Sequence, residues 1–155
     1  MFRRFHFAFP MPRITTFLSN AMKIRNVELA EIERIRQFLC ATGWTHRVGS
    51  EEQFAALIAA SQRTAVAIAP SGEIAGFARA ITDGISNGYL SMVVVAPTCR
   101  LRGVGRSLVE HIMGSDSGIT WVLRAGREGA TEFFASLGFE VSTIAMERSR
   151  TEPKT

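Results

Sequence analysis

The segment Tyr89–Ser107, YLSMVVVAPTCRLRGVGRS, carries the pattern that decides the fold. Residues 90–96 are apolar except for Ser91, and this run ends at Pro97. A basic loop with two glycines follows, and apolar residues then recur at helical spacing over residues 108–113. The pattern predicts a strand, a glycine turn and a helix that begins at the glycines.

The predicted start of this helix suits an anion such as a phosphate, because unpaired N–H groups and a partial positive charge lie there. Gly103 and Gly105 would let ligand atoms approach the backbone. Arg100, Arg102 and Arg106 would add charge-assisted hydrogen bonds. The alternative is a strand–helix connection whose glycines serve only the turn.

Two common phosphate-binding patterns do not fit this loop. A Walker loop needs a lysine, and none lies between positions 23 and 154. The dinucleotide pattern Gly-x-Gly-x-x-Gly would need its third glycine where Leu108 stands. The residues instead spell Arg100-x-x-Gly103-x-Gly105, which resembles the pyrophosphate-binding loop of the GNAT superfamily of acyl-CoA N-acyltransferases.

The resemblance covers most of residues 22–148, since GFARAIT, TDG, YLSMVVVAP and FFASLGFE follow in the order of a small GNAT enzyme. It implies an α/β fold with a mixed central sheet flanked by helices. An acyl-CoA would lie in a V-shaped opening between two parallel strands, here predicted at 88–95 and 119–124. Helix 104–113 would join them in a right-handed crossover.

The resemblance also implies roles for individual residues. Val93 and Val95, with Val94 between them, would offer main-chain groups to the pantetheine arm, and one N–H would polarise the thioester carbonyl. The pyrophosphate would be held by Arg100, Leu101, Arg102, Gly103, Val104, Gly105, Arg106 and Ser107. Ser91 is expected to point the same way as Val93 and to orient a water for proton transfer. Val93 and Ser91 are therefore the predicted catalytic residues.

Two positions depart from the superfamily pattern Asn-x-x-Ala-x-x-x-Tyr-x-x-x-Gly-Phe. Arg127 stands at the asparagine, and Phe134 stands at the tyrosine whose hydroxyl would protonate the leaving thiolate. The usual general acid is missing, although Phe134 is still expected to border the cofactor. Phe133 is interpreted as a core residue, and Asp83 and Glu147 are other polar candidates for proton transfer.

The first half of the domain predicts two helices. Asn26 is expected to cap the first, and Ser50 begins a capping box for the second. The connection between them, residues 40–49, carries Trp44, His46 and Arg47. It is either a solvated loop with Trp44 as a hydrophobic plug or part of an acceptor site.

The remaining elements complete the predicted sheet. Residues 66–68 and 73–82 predict a hairpin around the turn at 70–72. A last helix over residues 130–137 precedes Gly138, and a closing strand is predicted over 139–147.

Length and composition fit one domain of 155 residues, with 46% hydrophobic and 21% charged residues. No apolar run is long enough to span a bilayer, so no membrane partner is expected. Cys40 and Cys99 are too few for a disulfide framework or a zinc site, so no metal is expected and a cytoplasmic setting is the default.

The net charge of +4 is concentrated at two places. Arg3, Arg4 and Arg13 precede Met22 in a segment without acidic residues, and the other basic cluster is the predicted phosphate loop. No basic stripe remains for a nucleic acid, so none is expected as a partner.

Residues 1–21 are interpreted as a poorly ordered extension without a catalytic role, and residues 149–155 as a tail. Three explanations of the extension stay open: an upstream start codon, an arginine-rich targeting peptide and a functional arm.

The sequence thus predicts an N-acetyltransferase that moves an acetyl group from acetyl-CoA to a primary amine by direct attack on the thioester. The acceptor would be a small-molecule amine or a protein amine, and the enzyme a monomer or homodimer. A CoA-binding regulatory or sensor domain with little turnover is the alternative, suggested by Phe134. A nucleic-acid-binding module would require the basic extension to be real and ordered.

Overall fold

The computed structural model describes residues 21–150, so residues 1–20 of the predicted extension and residues 151–155 of the predicted tail lie outside the described residues. Within these residues, five strands form one sheet in the order β1-β2-β3-β4-β5. They are β1 Lys23–Arg25, β2 Arg63–Ile68, β3 Ile74–Thr82, β4 Asn87–Val95 and β5 Thr120–Val122. Strands β1 to β4 pair antiparallel, and β4 pairs parallel with β5. The predicted mixed sheet is confirmed.

In the described part of the chain, five α-helices and two short 3-10 turns surround the sheet. The helices are α1 Ile32–Ala41, α2 Thr45–Val48, α3 Glu51–Ala59, α4 Val104–Met113 and α5 Ala130–Ala135, and the turns are Leu29–Glu31 and Pro97–Cys99. The crossover from β4 through α4 to β5 is the one that the sequence predicts. Within residues 21–150 no helix is both long and apolar enough to cross a membrane.

The alternation of side chains along the strands creates two hydrophobic cores, one on each face of the sheet. Leu108 and Ile112 of α4 pack with strand alanines on one face, which we call the α4 core. Ile35 of α1 and Phe54 of α3 pack with Phe77 on the other face, which we call the α1–α3 core. Alanines on the α4 face allow that helix to lie close to the sheet.

The capping box at α3 is confirmed, but the predicted cap at Asn26 is wrong. Ser50 Oγ accepts a hydrogen bond from the Gln53 N–H at 3.2 Å, and Gln53 Oε1 accepts one from the Ser50 N–H at 2.9 Å. Asn26 Oδ1 instead accepts from His111 Nε2 of α4 at 2.8 Å. A reciprocal pair of glutamates, Glu28 and Glu31, caps the turn before α1.

The predicted closing strand over 139–147 does not form. Gly138 adopts the expected left-handed backbone, with φ of +89°. The residues after it pair with no strand in the described part of the chain, and Val141, Ile144 and Met146 are exposed. Their alternation favours extended backbone but supplies no partner, because β5 has only three residues.

Candidate active site

The sheet opens between β4 and β5. Their register joins Asn87 to Thr120 and Tyr89 to Val122, and no further pair follows. Strand β4 continues to Val95, so its edge facing β5 is unpaired over residues 90–95. Backbone N–H and C=O groups along such an edge are available to a ligand. The predicted opening between two parallel strands is therefore present, with its wide end at the carboxyl ends of the strands.

A β-bulge in β4 reverses the direction of side chains inside the predicted site. Phe77 pairs with Val94 and Arg79 pairs with Ser91, so two β4 residues oppose one residue of β3. Met92 takes a left-handed backbone there, with φ of +53°.

The consequence is that Ser91 and Val93 do not share a face. Leu90 packs in the α4 core, whereas Met92 and Val94 pack in the α1–α3 core. Ser91, between Leu90 and Met92, lies on the Arg79 side of the strand, and Val93 lies on the α4 side. The expectation that both point the same way is wrong, because the bulge shifts the alternation by one residue.

The glycine loop leads directly into α4. Gly103 is the residue before the helix and takes a left-handed backbone, with φ of +79°. The first helical bond runs from the Ser107 N–H to Gly103 O at 3.0 Å. The amides of Val104, Gly105 and Arg106 precede that bond and lie at the positive end of the helix dipole.

The side chains of the predicted loop set differ in what they can offer an anion. Arg100 Nε donates to Val95 O at 3.2 Å, and Arg106 Nη2 donates to Ser136 O at 3.1 Å. Arg102 is exposed and makes no hydrogen bond within residues 21–150. Leu101 is fully exposed, and Val104 is buried in the α4 core, so these two residues could contribute main-chain groups only.

A cavity of about 480 Å3 lies beside the opening and is lined by residues of β3, β4, α2, α3 and α5. Three predicted site residues line it: Ser91, Val93 and Phe134. Sequence reasoning missed most of the others, and they are strongly basic. The lining arginines are Arg47, Arg79, Arg124, Arg127, Arg148 and Arg150. We call this space the arginine-lined cavity.

Arg79 is the most enclosed of these arginines, with 6% of its surface exposed. Its Nε donates to Ser61 Oγ at 2.8 Å. Burial lowers the pKa of the Arg79 guanidinium, and the nearby Tyr89, which also lines the cavity, partly opposes that effect. Arginine nevertheless stays protonated at neutral pH. The side chain therefore brings a desolvated positive charge to the cavity wall.

The connection over residues 40–49 reaches the same cavity. The guanidinium of Arg127 lies 4.2 Å from the ring centroid of Trp44, and its Nη2 donates to Gly43 O at 3.2 Å. Trp44 and Arg47 both line the cavity. Trp44 also packs against the α1–α3 core, as the plug interpretation expects, and its stacking holds Arg127 in place, so the acceptor-site interpretation stays a prediction.

Phe134 belongs to an aromatic cluster at the cavity wall. Its ring centroid lies 4.9 Å from that of Phe133 and 5.7 Å from that of Phe139, both in edge-to-face contacts. Phe133 packs against the α4 core as expected, and Phe134 packs against the same core while also lining the cavity.

The two other polar candidates for proton transfer are engaged elsewhere. The Asp83 carboxylate accepts hydrogen bonds from the Ser86 hydroxyl and from the Ile85, Ser86 and Asn87 amides, which hold the pKa of Asp83 far below its usual range. A carboxylate with so low a pKa is a poor base. Glu147 forms an ion pair with Arg124 at 2.6 Å.

Comparison of the sequence with protein families identifies one match. The model of the acetyltransferase (GNAT) domain matches residues 58–141, which is more than half of the chain. That range contains β3, β4, the glycine loop, α4, β5 and α5. No curated protein sequence matches the chain significantly.

Solved structures share the fold at low sequence identity. A GNAT-family acetyltransferase from Streptococcus pneumoniae is 22% identical, with a TM-score of 0.66 over 83% of this chain and 100% of its own. Glucosamine-6-phosphate N-acetyltransferase from Arabidopsis thaliana is 20% identical, with a TM-score of 0.64 over 83% and 98%. The aminoglycoside N-acetyltransferase AAC(6')-Iy in complex with CoA is 22% identical, with a TM-score of 0.65 over 84% and 96%.

Proposed function

This chain belongs to the GNAT acetyltransferase family, and we propose that it transfers an acetyl group from acetyl-CoA to a primary amine. The observation that carries the proposal is the parting of β4 and β5 after Tyr89 and Val122, with the N-terminus of α4 at the wide end. An unpaired strand edge suits the amide groups of a pantetheine arm, and a helix N-terminus suits a pyrophosphate.

The residues that would hold the cofactor follow from this arrangement. The main chain of Val93, Val94 and Val95 would contact the pantetheine arm, and one N–H near the bulge would polarise the thioester carbonyl. The amides of residues 104–106 and the side chain of Arg102 would bind the pyrophosphate. Val94 can contribute only main-chain groups, because its side chain is buried in the α1–α3 core.

The reaction is aminolysis of a thioester. The neutral acceptor nitrogen forms a bond to the carbonyl carbon and loses one N–H proton, the C–S bond breaks, and CoA leaves as a thiolate that takes up a proton, so the products are an amide and the CoA thiol. An acceptor ammonium must first lose its proton, and a water held by Ser91 on the Arg79 side would accept it. Tyr89, the only tyrosine of the chain, supplies a phenol in the same cavity. We propose it as the candidate for the missing general acid.

The acceptor is an amine, and similar structures agree with this chemistry. Two of the proteins that share the fold are, by name, acetyltransferases of an amino-sugar phosphate and of aminoglycosides. Both reactions place an acetyl group on an amine. The relatives differ in the charge of their acceptors, so they do not decide the acceptor of this chain.

Two measurements on the purified protein test the proposal. Acetyl-CoA should raise the melting temperature, and DNA should not. Release of the CoA thiol should follow addition of an amine acceptor from a broad panel. Stabilisation by acetyl-CoA without release on any amine would favour the sensor alternative that Phe134 suggests, and absence of stabilisation would contradict the cofactor assignment.

A further inference from the structure

The arginine-lined cavity has an unusual charge for a site that must receive an amine. Six arginines line it, and no Asp or Glu of residues 21–150 does. Arg124 alone among them has a carboxylate partner in the described part of the chain, namely Glu147. A site built for a polycationic acceptor would show the opposite pattern, because like charges disfavour binding.

Arg79 indicates which kind of ligand group this positive charge suits. It is buried, and among residues 21–150 only its Nε has a hydrogen-bond partner, Ser61 Oγ at 2.8 Å. No carboxylate of the described residues lies within 4.0 Å of its guanidinium. A buried charge without a counterion is costly, and a planar guanidinium suits a carboxylate or a phosphate. An anionic group of the ligand would supply that counterion.

Resting on the acetyltransferase function proposed above, we infer that the acceptor carries a carboxylate or phosphate beside its amine, and that this group binds in the arginine-lined cavity near Arg79. Arg127, held over Trp44, and Arg47 on α2 line the same cavity as Arg79. They complete a binding surface for the anion.

The same charges help the chemistry. Positive neighbours disfavour a second positive charge, so the pKa of an acceptor ammonium falls in this cavity. The amine then loses its proton to water more readily and becomes a nucleophile. An anionic group on the same acceptor compensates for the repulsion and keeps the molecule bound.

Matched pairs of amines test the inference. One pair is phosphoethanolamine against ethanolamine, and the other is glycine against glycinamide. Each pair keeps the amine and changes the charge, and the two pairs distinguish phosphate from carboxylate. We measure kcat/KM for CoA release with fixed acetyl-CoA, and melting temperature with CoA present. The anionic member of at least one pair should be preferred by about tenfold or more.

Variants test which arginines cause the preference for the anionic amine. Arg79→Met and Arg47→Gln should each reduce it by about tenfold and leave stabilisation by acetyl-CoA unchanged. Arg47 is exposed, so its variant folds even if Arg79→Met does not. Arg34→Gln removes a charge outside the cavity, where Arg34 Nη2 donates to Gly72 O at 2.9 Å, and should change nothing.

The outcomes separate this inference from the proposed function. Neutral amines that react as well as their anionic partners would overturn the inference and keep the acetyltransferase. Stabilisation by acetyl-CoA without release of the CoA thiol on any amine would count against turnover. The melting temperatures with CoA present would then test the preference for an anionic amine. In that case an anionic amine must stabilise the CoA-bound protein more than its neutral partner. If neither pair shows a difference in rate or in melting temperature, the inference is wrong.

Discussion

Gly105 in the first turn of α4 lies directly against the ring of Phe133 in α5. A Cβ built on Gly105 would sit 3.0 Å from Phe133 Cζ and 3.2 Å from its Cε2. This contact joins α4, which begins at the glycine loop, to α5, which carries Phe134. A side chain at position 105 would thus press on the Phe133 ring, even before any ligand is considered.

Gly105→Ala should therefore destabilise the protein through Phe133. Alanine favours a helix by about 1 kcal/mol over glycine, but overpacking typically costs about 1–3 kcal/mol. We expect a net loss in the free energy of unfolding, measured in urea. The same substitution in a Phe133→Leu background should cost less, with a coupling of about 1 kcal/mol. Additive effects would show that the two residues do not press on each other.

Gly103→Val tests the backbone at the loop. Gly103 has φ of +79° and no atom within 4 Å of an added Cβ, so valine would be strained but would not clash in the free protein. Gly72, in the β2–β3 turn, has φ of +86° and the same open surroundings, which makes Gly72→Val a matched control. Both variants should lose about 1–2 kcal/mol of stability.

Only Gly103→Val should also weaken acetyl-CoA binding, by tenfold (about 1.4 kcal/mol) or more. The valine side chain would occupy the space proposed for the pyrophosphate. Calorimetric titration with acetyl-CoA measures the difference. Equal affinities for the two variants would remove Gly103 from the binding loop.

Arg102→Ala separates affinity from stability. Arg102 makes no hydrogen bond within residues 21–150, so its loss should leave the melting temperature of the free protein unchanged. Acetyl-CoA binding should weaken by about 1–3 kcal/mol, as is typical of a charge-assisted hydrogen bond. The slope of affinity against salt concentration should fall as well. An unchanged affinity would mean that Arg102 does not touch the cofactor.

The sequence predicts the β4–α4–β5 unit because a long apolar run, a glycine turn and a helical period are local signals. The same holds for the capping box at Ser50 and the left-handed Gly138. These features depend on residues near one another in the chain. They required no knowledge of what the elements pack against.

The bulge at Met92 and the basic cavity were not predicted, because both arise from pairing between distant residues. Methionine carries no mark of a left-handed backbone, so the reversal at Ser91 could not be foreseen. Arg79 reads as an ordinary polar position in an alternating strand, and only the fold brings it to Arg127 and Tyr89. The strand expected over 139–147 failed for the same reason, since a periodic pattern does not create a partner.

The Glu31 carboxylate makes the free energy of unfolding depend on pH. The Arg25 side chain donates two hydrogen bonds to the Glu31 carboxylate, at 2.6 and 2.8 Å, and this pairing lowers the pKa of Glu31. Because the pKa of Glu31 is lower in the folded protein than its unfolded value of about 4.3, the pairing stabilises the protein fully at pH values above about 4.3. This contribution is lost as the pH falls through the folded-state pKa. Glu31→Gln should cost about 1–3 kcal/mol at pH 7 and less as the pH drops below 4. Urea unfolding across that range, with the exposed Glu128→Gln as control, measures the change.

Phe134→Tyr tests the missing general acid. Phe134 lines the arginine-lined cavity, and we expect a hydroxyl added to its ring to face the space where the thioester is proposed to lie. A positioned acid contributes about 10²–10⁴-fold to a rate when proton transfer limits it. A thiolate with a pKa near 8.5 leaves with less help than that. We expect acetyl-CoA affinity within a few-fold of the parent and equal or higher turnover with a good acceptor.

Phe133→Tyr is the matched control for that substitution. The ring of Phe133 points its Cζ at Gly105, so a hydroxyl at that atom would collide with α4. This variant should lose stability, by about 1–3 kcal/mol for overpacking, and should gain no rate. If Phe134→Tyr behaves in the same way, its hydroxyl is buried without a partner, which also costs about 1–3 kcal/mol. Phe134 would then act only through packing, and the proton for the thiolate would have to come from Tyr89. In that case Tyr89→Phe should lower turnover without changing acetyl-CoA affinity.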